Sequence, residues 1–154
     1  MHEKYLERAL ELAAESIEEG GGPFGAVIVR DGAVIAEASN RVTRDHDPTA
    51  HAEIVAIRKA SEKLENHDLS GCTIYASCEP CPMCLSAIYW ARMDAVFFGL
   101  TRDDAADAGF DDRMIYEELG KETGARQLKM VRIELPEAEG VFRKWTDKPD
   151  REAY

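Results

Sequence analysis

Apolar residues recur at helical spacing through the first turns of the chain: Tyr5, Leu6, Ala9, Leu10, Ala13 and Ile17 share a face. This predicts a helix that ends at the breaker Gly20-Gly21-Gly22-Pro23. The period then changes. FGAVIVRDGAVIAEA holds two β-branched runs either side of Asp31-Gly32, the pattern of a hairpin with a two-residue turn. Both runs are nearly continuous in apolar residues, which predicts strands covered on both faces. Asp47-Pro48-Thr49 offers a cap and an early proline for a second helix, with Ala50, Ile54, Ile57 and Leu64 along one side. CTIYAS (72–77) reads as a short strand, PCPMCLSAIYWAR as a mostly apolar helix opened by prolines, and DAVFFGL (94–100) as another strand. TRDDAADAGFDDRMIYEELG reads as a polar loop followed by a short helix. KMVRIEL (129–135) is expected to be the last strand, and the tail to Tyr154 to carry a final helix.

This order implies the α/β class: a three-layer α/β/α arrangement around one mixed sheet of about five strands. In such sheets, sites form where strands end and helices begin. At 154 residues, without repeats or a low-complexity linker, the chain suits a single domain over 1–154. Thirty acidic against nineteen basic residues give a net charge of −11. Proteins that grip nucleic acid neutralise phosphates with a basic face, so this balance disfavours a nucleic-acid partner. The charged N-terminus lacks the apolar core of a secretory signal, and no apolar run approaches the ~18 residues of a membrane helix. No membrane role is expected. The expected compartment is the cytoplasm, where thiols stay reduced and structural disulfides are disfavoured.

Against that background, three of the four cysteines crowd into SCEPCPMC, residues 77–84. Cys81-Pro82-Met83-Cys84 at a helix start fits a redox pair or half a metal site, and alone does not decide between them. Cys78 ends a strand and Cys72 opens the same one, so both read as small buried residues. Among the histidines, His2 is terminal, and His46 and His67 lie in polar segments. His51 differs, because Glu53 follows it in TAHAEIVAIRKA. H-x-E followed later by P-C-x-x-C is the pattern of a zinc deaminase, here His51, Glu53, Pro80, Cys81 and Cys84. One imidazole and two thiolates would hold Zn2+ and leave a fourth position for a metal-bound water or hydroxide, its pKa lowered towards neutrality. Glu53, not itself a ligand, would move protons between water, substrate and leaving group. A difficulty is that residues two apart on a regular helix point ~200° apart. His51 and Glu53 therefore share a site only at an irregular or terminal turn.

With these motifs the sequence resembles the cytidine deaminase-like superfamily, and within it the bacterial guanine deaminases. GGPFGAVIV, DPTAHAE, SCEPCPMC with AIYWAR behind it, AGFDD and the terminal Glu152-Ala153-Tyr154 carry the resemblance. It implies hydrolysis of guanine to xanthine and ammonia with one zinc per subunit, a small purine base as partner, and a homodimer. The tRNA adenosine deaminases share DPTAHAE and a similar PCxMC helix, so those motifs do not separate the substrates. Cytosine and guanosine remain further alternatives. By the resemblance Asp112 contacts the base and helps ammonia leave, and Asn40 and Ala52 contact the purine. Phe24 and Trp90 would sandwich the flat ring, or serve as core packing. In similar guanine deaminases the C-terminal segment swaps between subunits. That implies that 137–154 swaps, with FRKWTDKPDREAY (142–154) as a lid and Tyr154 reaching the partner's substrate.

Overall fold

Seven helices and four strands follow one another in the computed structural model, which describes residues 1–154. The opening helix, α1 (Glu3–Glu18), leads to β1 (Gly25–Arg30) and β2 (Ala33–Ser39). Asp31 and Gly32 both take positive φ, 51° and 77°, the twist a two-residue hairpin turn needs. After a single turn, α2 (Val42–Asp45), come α3 (Ala52–Leu64), β3 (Cys72–Cys78), α4 (Pro82–Trp90) and β4 (Ala95–Leu100). The sheet order is β2-β1-β3-β4. β1 pairs antiparallel with both neighbours, and β3 pairs parallel with β4.

The alternation of side chains sorts the core into two layers. Ala26, Ile28 and Ile74 face Ala52, Ala56 and Ala60 of α3 and Ile88 of α4. Their neighbours Val27, Val29 and Tyr75 face Tyr5, Ala9 and Leu12 of α1. Helices thus cover both faces, and the expected α/β/α layering is present. The parallel β3–β4 pair is reached through α4, so the C-terminal end of β3 feeds directly into that helix.

Four expectations change in detail. The sheet has four strands, not about five. Residues 129–135 form no strand, although their pattern suits one. They belong to a second compact unit, Met114–Tyr154, which contains helices and turns but no strand to pair with. Second, β2 is not covered on both faces. It is an outer strand in which Ala36 and Ala38 are buried, while Arg8 binds the Glu37 carboxylate with two nitrogens at 3.1 and 3.2 Å. Two of its carbonyls are taken by lysines of α3: Lys59 Nζ donates to Glu37 O (2.9 Å) and Lys63 Nζ to Ile35 O (3.1 Å). Third, the long helix begins at Ala52 instead of Pro48. Asp47 folds back in a local turn, accepting from the Thr49 N–H (2.8 Å) and hydroxyl (2.7 Å). Fourth, the first part of the polar loop is a helix, α5 (Arg102–Asp107).

The second unit is organised locally. It takes in most of α6 (Arg113–Leu119), a 3-10 turn at Thr123–Ala125 and α7 (Ala138–Asp147). The Glu118 carboxylate accepts the Gln127 N–H at 2.6 Å and binds Lys121, while Arg126 Nε donates to the Glu118 carbonyl.

Gly25 shows how closely α1 lies on β1. A Cβ there would stand 2.2 Å from the Ala9 carbonyl oxygen and 2.8 Å from the Ala13 nitrogen, both backbone atoms that cannot swing aside. Gly25→Ala should therefore lower the unfolding free energy by about 1–3 kcal/mol in urea titrations. Gly124→Ala, where a Cβ meets nothing within 4 Å, should be nearly neutral.

Candidate metal centre and its surroundings

Two helix starts meet at the end of the sheet, and each is capped by a prospective ligand. His51 is the N-cap of α3, with φ −63° and ψ 155°, and Cys81 the N-cap of α4, with φ −65° and ψ 169°. Both are extended, so neither side chain follows its helix. Their carbonyls accept the first helical bonds, from Val55 N (3.0 Å) and Leu85 N (2.9 Å). Pro82 occupies the first helical position of α4, where its missing N–H costs nothing. Cys84, one turn on from Cys81, lies on the same side of that helix.

This removes the geometric difficulty of the H-x-E spacing. His51 stands outside α3 and Glu53 inside its first turn, so the ~200° rule for a regular helix does not separate them. The imidazole Nδ1 lies 3.5 Å from both the Cys81 and Cys84 sulfurs, and the three ligand atoms fall within 4.8 Å of one another. With Zn–N of about 2.0–2.1 Å and Zn–S of about 2.3 Å, a tetrahedral ion sets its N and S ligands about 3.5–3.6 Å apart. The His/Cys/Cys donor set fits zinc.

The electrostatics agree with a site built for a cation. The Cys81 thiol is held down at about 4, first by its hydrogen bond with Cys84 and also by His51. Cys84 is pushed far up by that same bond and by burial. His51 is raised by its bond to Cys81. Glu53, only 8% exposed, has its carboxyl raised by burial and by the Cys81 charge. Cys78 is separate: it is buried, donates to the Thr101 carbonyl at 3.3 Å, and is raised to about 11 by burial. It is an inert thiol, as expected from its place in the strand.

Around this centre, Asn40 is buried directly after β2. Its N–H donates to the Phe24 carbonyl (2.9 Å) and its Oδ1 accepts from Val42 N (3.1 Å). With Oδ1 engaged, the amide group is oriented as a donor. Phe24 is partly buried against the core, and Phe110 meets it edge-on at 5.0 Å between ring centres. Ala52 is fully buried at the first position of α3.

The adjacent aspartates divide cleanly. Asp111 accepts from the Arg113 N–H and guanidinium, and its carboxyl is held down to about 2. Asp112 is raised by burial and by the Cys81 charge, which places it within electrostatic reach of the ligand cluster. Trp90 is not brought to the cluster within the subunit. It ends α4, nine residues beyond Cys81 or about 13 Å along the axis, and is 66% exposed, so it is not core packing either. It lines a surface groove of ≈ 430 Å³ with Ser86, Tyr89 and Arg92. Tyr154 ends the second unit, exposed.

Phe110 was not among the residues expected at the site, nor was Glu79, whose carboxylate accepts from the Arg102 N–H at 3.2 Å. Both lie within the motifs SCEPCPMC and AGFDD, but their partners are distant in sequence.

Residues 1–100 match the family of the cytidine and deoxycytidylate deaminase zinc-binding region. The chain is 51% identical to a guanine deaminase of Bacillus subtilis over 154 residues, covering 99% of each. The crystal structure of guanine deaminase from that organism superposes with a TM-score of 0.98, covering 100% of this chain and 99% of that one. A tRNA-specific adenosine deaminase of Aquifex aeolicus is 43% identical, but over 96 residues, 62% of this chain and 64% of that protein. A guanine deaminase from Nitrosomonas europaea superposes with a TM-score of 0.68 at 36% identity, over 70% of this chain and 63% of that one.

Metal content provides a test independent of turnover. Cobalt-loaded protein should show a thiolate-to-metal charge-transfer band. The band should vanish in Cys81→Ser and Cys84→Ser and persist in Cys78→Ala.

Proposed function

The chain belongs to the cytidine and deoxycytidylate deaminase zinc-binding family, and on that footing we propose that it hydrolyses guanine to xanthine and ammonia. One zinc ion per subunit is the cofactor, held by His51, Cys81 and Cys84. The observation that carries the choice of substrate is the length of the match. Likeness to tRNA-acting relatives extends over 62–75% of the chain, whereas likeness to the Bacillus guanine deaminase runs through 99% of it, the C-terminal unit included. The net charge of −11 points the same way, since an RNA-binding surface would be basic.

Zinc held by His51, Cys81 and Cys84 would supply an acidified water as the nucleophile for C2 of the base. Glu53 would take one proton from the attacking water and pass it to the ring nitrogen next to C2, then carry the second proton of that water to the departing amine. Water adds at C2, the C2–N bond breaks, and one guanine plus one water become one xanthine plus one ammonia. Burial of Glu53 suits this task, because a raised carboxyl exchanges protons more readily near neutral pH. Asp112 accepts the N–H donors that guanine presents around C2 and assists loss of ammonia. Asn40, with its Oδ1 occupied by Val42, donates its amide to the acceptor edge of the purine, O6 or N7. Phe24 stacks on the ring, and Ala52 contacts the base from the first turn of α3, where backbone N–H groups have no intrahelical acceptor.

The working form is a homodimer in which the segment 137–154 of one subunit closes over the site of the other, with Tyr154 against the base. Exposed apolar side chains support this reading. Leu85, Tyr89 and Trp90 lie on α4, which carries no charged residue. Val131, Ile133 and Leu135 lie within 129–135, with Leu128 directly before it, and Val141 and Phe142 lie on α7. Exposed apolar side chains gathered on single elements in this way mark an interface. No helix is long and apolar enough to cross a membrane, and all four cysteines are unpaired, which suits work in the reducing cytoplasm.

Ammonia release from guanine, guanosine, cytosine, adenine and a tRNA anticodon loop tests the substrate directly. Guanine should exceed the others by well over tenfold in kcat/KM, and release only from the RNA would overturn the assignment. Glu53→Gln should retain zinc and lose roughly 10²–10⁴-fold in kcat. Mixed dimers test the swap. Co-expressed Glu53→Gln and Tyr154→Ala chains should regain activity, because one site of each heterodimer then receives both native groups. Two inactive variants that stay inactive together would rule out a lid supplied by the partner.

A further inference from the structure

One short helix joins the metal loop to the wall of the site that carries Asp112. Glu79 stands between Cys78, the last residue of β3, and the ligand-bearing Pro80-Cys81. Its N–H donates to the Leu100 carbonyl at 2.8 Å, fixing the loop to the end of β4. Its carboxylate accepts the N–H of Arg102, the first residue of α5, at 3.2 Å. That N–H is one of the donors a helix leaves without an internal acceptor. Cys78 reinforces the junction through its bond to the Thr101 carbonyl.

Both ends of α5 are closed, so a constraint at one end reaches the other. At the start, Thr101 Oγ1 accepts from Asp104 N (3.3 Å) and Asp104 Oδ2 accepts from Thr101 N (2.8 Å), a reciprocal capping box. At the finish, Gly109 N donates to the Ala106 carbonyl (3.0 Å) and Phe110 N to that of Ala105 (2.8 Å), with Gly109 at φ +95°. This is a Schellman ending, which fixes the direction in which the chain leaves. The departing chain sets Phe110 against Phe24 and reaches Asp112 two residues later.

We propose that Glu79 is a positioning residue: by holding the first turn of α5 against the metal loop, it sets where Asp112 stands relative to the zinc ligands. The inference rests on the reading of Asp112 as a substrate-contacting group. Glu79 need not touch substrate or metal, since Cys81 and Cys84 take their places from α4.

The test is a double-mutant cycle on zinc-loaded protein. Glu79→Ala, Glu79→Gln, Asp112→Asn and the Glu79→Ala/Asp112→Asn pair are compared in guanine kinetics, zinc content and xanthine affinity by calorimetry. Glu79→Ala should keep one zinc per subunit and lose about tenfold in kcat/KM, with xanthine affinity falling in step. Glu79→Gln, whose amide oxygen still accepts the Arg102 N–H, should recover most of that loss. In the Asp112→Asn background, Glu79→Ala should add less than about twofold, because the group it positions is already gone. Losses that multiply in the double variant, a Gln variant as impaired as Ala, or loss of zinc would each overturn the proposal. Full activity of Asp112→Asn alone would remove its premise, and absence of guanine turnover in the native protein would remove the activity itself. These two outcomes are read before any Glu79 variant is considered.

Discussion

The site depends on one backbone event: the chain reaches α3 in extended conformation and turns helical only after His51. Because His51 remains outside the helix, its imidazole meets the two sulfurs of α4, while Glu53 enters the same space from the first turn. Starting α3 three residues earlier would place His51 within a regular turn and swing Glu53 to the other side. The turn closed by Asp47 and Thr49 prevents this, since it commits the preceding residues to a local conformation. The position of α4 follows from the sheet. The parallel pairing of β3 with β4 requires a crossover, and the crossover brings the start of α4 to the same edge as α3.

A second consequence is that the ligands are held by main chain more than by side-chain packing. N-cap residues are fixed by the first hydrogen bonds of their helices, from Val55 to His51 and from Leu85 to Cys81. A metal site placed in this way keeps its spacing as long as the two helices stay on the sheet. The alanines of α3, Ala52, Ala56 and Ala60, are fully buried and let that helix approach the strands closely. Larger side chains there would lift α3 and carry His51 away from the sulfurs.

Much of this was legible in the sequence because the informative contacts are local. The hairpin and the H-x-E and P-C-x-x-C pairs fall within a few residues, whereas the helix faces match the apolar spacing only in part: Leu10 and Ile17 of α1 are exposed, and α3 buries Ala52, Ala56 and Ala60. What the sequence does not reveal depends on partners far along the chain or on chemistry that imitates a loop. TRDDAADAG looks like a polar connection, yet Thr101 and Asp104 cap one another and Gly109 closes the other end, so it is a helix. KMVRIEL alternates as a strand does, but a strand also needs a neighbour, and its own unit supplies none. Trp90 looked like a ring-stacking or core residue by type alone. Only its place at the end of α4 shows that it is neither in this subunit. The resemblance favours Asp112 over Asp111, and the physical reason for that division is the engagement of Asp111 by Arg113, which the sequence alone does not show.

The lysines on the outer strand have a consequence in time. Glu37 and Ile35 are covered by Lys59 and Lys63, which follow them by 22 and 28 residues. During synthesis at about 5–20 residues per second, the finished hairpin therefore waits roughly one to six seconds before α3 is made and its ammonium groups arrive. For that interval the nascent chain presents a bare strand edge to its surroundings, and it is the emergence of α3, the helix that also brings Glu53, that closes it.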